Sequence, residues 1–148
     1  MKRAEATSTP PQVTIHRRVD YSETDQMGVV YHARYLVWLD VARTELLRTT
    51  GVSYRELEAQ GFRLAVSDLQ IRYRHAARYD DPVRVRCWIR EVASRRVTFG
   101  YAVEHEESGL LLATATTALL VLTAEFALAR LPEAIIARLI PSPDLVRL

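Results

Sequence analysis

The sequence predicts an α+β domain in which one long buried helix packs against an antiparallel sheet. Three observations predict it. From Ala33 to Thr49 apolar residues recur at helical spacing, with no Gly or Pro between them and Gly51 just past the end. After Gly61 the apolar period switches from 3.6 to 2. A length of 148 residues, 49% hydrophobic and 26% charged, builds one core and leaves little room for a second. The same balance disfavours disorder and coiled coil.

Each element can be justified in order. Met1 to Gln12 is polar, holds Pro10 and Pro11, and lacks the apolar segment of a signal peptide. It is predicted as a disordered tail ahead of a domain spanning residues 13–148. Val13 to Val19 alternates weakly and reads as a first strand, and Asp20 to Gly28 reads as a loop. On the long helix, Tyr35, Leu36, Leu39, Ala42, Leu46 and Leu47 form an apolar arc. Asp40, Thr44 and Arg48 lie opposite. Val37, Trp38 and Val41 widen the arc, so the helix is expected to be largely buried. Arg43 falls inside the arc and needs a carboxylate or backbone carbonyls as partner.

Ser53 and Glu56 form a capping-box pattern that opens a short helix ending near Gln60. Phe62 to Tyr73 alternates with a phase slip at Ser67-Asp68, which predicts a bulge within one long strand. Asp80-Asp81-Pro82 is a turn. Val83, Val85, Cys87 and Ile89 alternate with Arg84, Arg86, Trp88 and Arg90; Val97 to Val103 repeats the pattern, and Ser108-Gly109 closes a hairpin. Leu110 to Thr123 is apolar on both parities, which predicts a central strand covered on both faces. Pro132, as the first residue of a short helix, and Pro141, as its stop, bound the last element.

Composition also excludes function classes. A net charge of +2 does not argue for nucleic acid, and no apolar run reaches the roughly 18 residues of a membrane-spanning helix. Arginine supplies all but one of the 20 cationic side chains, so any anion-binding task falls to arginine. Cys87 is the lone cysteine; it sits on the apolar parity of a strand and reads as a small core residue in a reducing, hence cytoplasmic, protein. His16, His32, His75 and His105 are scattered without metal-ligand spacing, so no metal site is expected. The glycine signatures of P-loop, Rossmann and α/β-hydrolase proteins do not occur.

Asp25 stands out. It precedes the buried helix in the stretch Glu23 to His32, where an Asx-turn closing onto Gly28 is one account of it. The other is chemical. A helix start leaves backbone N–H groups unpaired and favours negative charge. A carboxylate beside such donors can attack a carbonyl, or activate water, while the amides hold the developing oxyanion.

The stretch Tyr21 to Leu47 resembles the hotdog-fold acyl-CoA thioesterases. The likeness rests on Thr24-Asp25-x-x-Gly28-Val29-Val30-Tyr31-His32, Tyr35 and Ala42-Arg43-Thr44-Glu45, with Tyr79-Asp80-Asp81 further on. It is similar to the 4-hydroxybenzoyl-CoA thioesterase family and its Tol-Pal-associated branch, over about Val13 to Ile140. The resemblance implies a sheet wrapped around one helix. It implies Asp25 as nucleophile or general base, and the His32 backbone N–H as oxyanion donor. For the His32 side chain two roles stay open, orienting substrate or Asp25, or bonding nearby backbone. Gly28, Val30, Tyr31 and Tyr35 are implied around the acyl group, although core packing explains the tyrosines as well. Arg95 and Arg96, at a turn between strands, match a basic pair placed for coenzyme A phosphates.

A site between subunits is implied too, hence a homodimer or homotetramer with an acyl-CoA substrate and no metal or redox cofactor. Hydrolysis of an acyl group from acyl carrier protein, or acyl-CoA binding without catalysis, are the competing functions. Asp25 argues against mere binding.

Overall fold

The structure is a computed structural model and describes residues 9–148. The predicted tail therefore falls largely outside the described residues. Gln12 is not tail but the first residue of β1 (Gln12–Arg18). A 3-10 turn (Tyr21–Glu23) leads to α1 (Arg34–Thr49) and α2 (Tyr54–Ala59). Four strands follow: β2 (Phe62–Tyr73), β3 (Pro82–Val92), β4 (Arg96–His105) and β5 (Leu111–Thr123). A short α3 (Glu133–Ile136) comes last. The strands make one antiparallel sheet in the order β1-β3-β4-β5-β2.

Local chemistry explains most boundaries. Gly51 adopts φ 80 beyond α1, a conformation that costs glycine little. The Ser53 hydroxyl accepts the Glu56 N–H at 3.1 Å and caps α2. The register of β2 on β5 shifts between Val66 and Asp68, where the alternation slips. The predicted last helix is shorter than its apolar pattern. It ends at Ile136, and Pro132 is its N-cap rather than its first helical residue, with φ −56 and ψ 142.

The inner face of the sheet packs on α1, which lies against β1 and β3 while α2 lies against β2. Tyr35, Trp38, Leu39, Ala42, Leu46 and Leu47 are buried there with Val83, Val85, Cys87 and Ile89. Burial pushes the Cys87 thiol up, which keeps it a neutral, unreactive core group. Val37 is half-exposed, so α1 buries one face and not its whole girth.

The central strand is β4; β5 lies between it and β2. The outer face of β5 is half-covered rather than buried, at Thr116, Ala118, Leu120 and Leu122. Trp88 points outward yet is fully buried, because its indole lies over Gly100, where an added Cβ would stand 2.5 Å away. Asp144 accepts the Trp88 indole N–H at 3.0 Å and both arms of Arg90 at 2.8 and 3.0 Å. The segment after α3 is thereby strapped across the outer face.

Arg43 has the partners that its position demands. It pairs with Asp40 and donates to the Tyr54 hydroxyl at 2.9 Å and the Tyr101 hydroxyl at 3.2 Å. Arginine has no acceptor, so Tyr101 turns its own proton to Thr117 Oγ1, 2.7 Å away. Burial pushes up the phenols of both tyrosines, which stay neutral. Arg43→Ala leaves the Tyr54 and Tyr101 hydroxyls without their donor, while Asp40 stays in solvent and Tyr101 keeps Thr117, and is expected to cost roughly 1–3 kcal/mol. Urea unfolding of the two proteins measures it, and an unchanged midpoint would mean that the network contributes nothing.

Candidate active site

Between β1 and α1 the chain makes a small hairpin pinned on both sides. Thr24 bridges Val30, and Val29 bridges Arg78 beyond β2. The Val30 N–H donates to the Ala77 carbonyl at 2.8 Å. The tip is a tight turn in which the Gly28 N–H reaches the Asp25 carbonyl at 2.9 Å, with Gly28 at φ 78. Glycine adopts that angle without strain.

Asp25 makes the Asx contact and also faces a cleft. Its Oδ1 accepts the Met27 N–H at 2.8 Å, while Oδ2 has no hydrogen-bond partner among the described residues. One oxygen is anchored; the other is available.

The cleft encloses about 260 Å³ and is lined by Asp25, Met27, Val30, His32, Tyr35 and Tyr73, with Val29 and residues 74–76 completing the wall. At its edge α1 begins. The Arg34 N–H donates to the Tyr31 carbonyl at 2.8 Å and the Leu36 N–H to the Ala33 carbonyl at 3.2 Å. The His32 and Ala33 amides meet no acceptor among the described residues. They are the orphan donors of a helix start. Burial raises the Tyr35 and Tyr73 phenols, so both stay protonated. The Tyr73 hydroxyl donates to the His32 carbonyl at 2.7 Å, and the Tyr35 oxygen accepts the Ala77 N–H at 3.3 Å.

The residues singled out from sequence divide. Asp25, Val30, His32 and Tyr35 share the cleft. Gly28 shapes the turn without lining it, and Tyr31 stands half-exposed beside the His32 ring, outside the cleft of a single chain. Arg95 and Arg96 are exposed where β3 turns into β4, and Arg96 lies 3.8 Å from Glu91. They sit at the opposite end of the sheet. Eleven residues of β3 separate the two ends, about 35 Å at strand rise.

Tyr73, Arg74 and His75 were not anticipated. They lie far from Asp25 in sequence, although a tyrosine ending a strand beside a histidine is a signal. Glu23 was missed as well. It is 7% exposed, and its carboxylate accepts the Trp38 indole N–H at 2.7 Å and the Asp20 N–H at 2.8 Å. The histidines are dispersed: His16 pairs with Glu106, His75 contacts the Leu111 carbonyl, and His105 lies 3.7 Å from Asp81.

The sequence profile of the thioesterase-like superfamily covers residues 19–139. The chain belongs to that superfamily. Its fold is the hotdog fold, with the sheet set against one long helix. It is 40% identical over 85 residues to the putative acyl-CoA thioesterase YneP of Bacillus subtilis, a match covering 57% of this chain and 62% of that one. It is 43% identical over 83 residues to the acyl-CoA thioesterase YbgC of Haemophilus influenzae, covering 55% and 61%. The matched stretches thus span less than two thirds of either relative. A solved DHNA-CoA thioesterase of Staphylococcus aureus superposes with TM-score 0.77 at 32% identity, covering 80% of each chain.

Proposed function

We propose that this chain hydrolyses acyl-CoA thioesters to the free carboxylic acid and coenzyme A. The free Oδ2 of Asp25 in the same cleft as the unpaired His32 amide carries the reading. Two courses share this geometry. In one, Asp25 attacks the thioester carbon, the thiolate leaves, and water cleaves the resulting anhydride. In the other, Asp25 takes a proton from the water that attacks the thioester carbon, the C–S bond breaks, and the thiolate leaves and takes up that proton. In both, negative charge grows on the carbonyl oxygen, and the His32 N–H receives it. Neither course calls on a metal or redox cofactor. The names of the B. subtilis, H. influenzae and S. aureus relatives support the reaction class. The stretch from Tyr21 to Leu47 favours the Tol-Pal-associated branch of the 4-hydroxybenzoyl-CoA thioesterase family. Cys87, buried and unpaired, is compatible with a reducing cytoplasm.

The working unit is proposed to be a dimer or a dimer of dimers. β2 is an edge strand of 12 residues, and Val66, Leu69 and Tyr73 on it are half-exposed. A long edge bearing apolar side chains is a template for another strand. Pairing β2 with β2 of a second copy, antiparallel, sets the Tyr73 end of one against the Phe62 end of the other. The Arg95 turn shares the Phe62 end, because the Val121 N–H donates to the Arg95 carbonyl and Val121 pairs with Leu64. A second copy thus brings its own Arg95 and Arg96 toward this cleft. Their guanidinium forks suit the phosphates of coenzyme A.

Thiol release from short, long and aromatic acyl-CoAs tests the reaction. Asp25→Asn, which keeps an oxygen for the Met27 amide, is expected to hold KM and lose ~10²–10⁴ in kcat. Retention of more than about a tenth of the rate removes Asp25 from the mechanism, since general-base loss alone exceeds that. Sedimentation at assay concentration should give a dimer or tetramer; an active monomer contradicts the shared site. Changing Arg95 and Arg96 together to Ala should raise KM for acyl-CoA with kcat kept, and added salt should mimic the effect. A truncated thioester lacking the nucleotide should be indifferent. An unchanged KM for both substrates places the phosphates elsewhere.

A further inference from the structure

Of the two N–H groups left without an acceptor at this turn among the described residues, those of His32 and Ala33, the His32 N–H is the proposed oxyanion donor. On one side, the Tyr31 N–H donates to the Glu23 carbonyl at 2.8 Å. On the other, the His32 carbonyl accepts the Tyr73 hydroxyl at 2.7 Å. Between them the Tyr31 carbonyl accepts the Arg34 N–H at 2.8 Å. The planar peptide that carries the His32 N–H includes the Tyr31 carbonyl, so the Arg34 bond sets the direction of that N–H, while the bonds to the Tyr31 N–H and the His32 carbonyl hold the peptides on either side and limit its rotation.

Two of these three bonds come from outside the turn. Tyr73 is the last residue of β2, and its ring meets Tyr35 edge-on at 5.2 Å. Its hydroxyl reaches a main-chain carbonyl next to the reacting amide, with no other hydrogen bond among the described residues. Glu23 stands two residues before Asp25 and is locked by its side chain to Trp38, the fifth residue of α1. One residue therefore relates the Asp25 hairpin to the helix that offers the amide.

We propose that Tyr73 and Glu23 are positioning residues that aim the His32 amide at the substrate carbonyl. Tyr73 acts through the His32 carbonyl, and Glu23 acts through Trp38 and the Tyr31 amide. The inference rests on reading the chain as a thioester hydrolase. Neither residue touches the reacting atoms by this account. An amide turned away from the carbonyl still leaves the bound thioester in place, but it stabilises less of the charge that develops in the transition state. The signature is a fall in kcat at constant KM.

Tyr73→Phe keeps the ring of this half-exposed residue and removes only the hydroxyl. It is expected to lower kcat about tenfold, less than the ~10²–10³ that follows outright removal of an oxyanion donor. KM should stay within about twofold and the melting temperature close to that of the parent. Glu23→Gln keeps an acceptor for only one of the two N–H groups that Glu23 serves. It should show the same split between kcat and KM, with a shift in tryptophan emission as the Trp38 bond changes. A Tyr73→Phe enzyme with parental kcat, or with KM raised as far as kcat falls, overturns the proposal. Should Glu23→Gln be unstable, Tyr73→Phe decides alone. Asp25→Asn separates the two levels. An enzyme that needs Asp25 but is indifferent to Tyr73→Phe loses only the positioning. A wild-type protein with no turnover, or one indifferent to Asp25→Asn, loses the hydrolase reading and the positioning together.

Discussion

A carboxylate buried beside a helix must have its oxygens bonded, because an unsatisfied charge there costs several kcal/mol or more. Glu23 meets that demand with the Trp38 indole and the Asp20 amide, and the arrangement of the cleft follows. The 3-10 turn cannot swing away from α1 without exposing both donors and the carboxylate. The hairpin carrying Asp25 starts from that turn and is stitched on its far side to residues 77 and 78. A flexible loop is thus held as firmly as an element of the core.

The polar groups of the candidate site sit where main-chain hydrogen bonding leaves something over. Strand interiors and helix middles pair every N–H with a carbonyl, so they offer no donors to a ligand. A helix start cannot. The turn at Asp25 adds a carboxylate that spends one oxygen on holding its own shape and presents the other. Aromatic side chains close the wall around these polar groups, and the cleft stays small.

The same economy governs the sheet. Its inner face meets α1 through apolar side chains interrupted by Arg43, whose charge is shared among Asp40, Tyr54 and Tyr101. Its outer face carries arginines that find Glu104 and Asp144. Among the described residues no further strand pairs with its β2 edge. A long edge strand with apolar side chains is the feature on which the proposed pairing with a second copy rests.

Periodicity and punctuation by themselves determined the elements. Period 3.6 over Ala33 to Thr49, period 2 after Gly61 and the slip at Ser67-Asp68 each reflect local geometry that a chain carries wherever it goes. Arg43 declared its need for a partner because burying a bare charge is prohibitive, and Asp25 was visible from its place ahead of a helix. Tertiary structure decided the rest. Trp88 shares a parity with arginines, but the missing Cβ of Gly100 and the reach of Asp144 bury it. Glu23 looks like any loop acid until Trp38 is folded over it. Tyr73 acquires its partner only when β2 ends beside the start of α1, 41 residues away along the chain. Such pairings depend on distances between elements, and no local pattern encodes them.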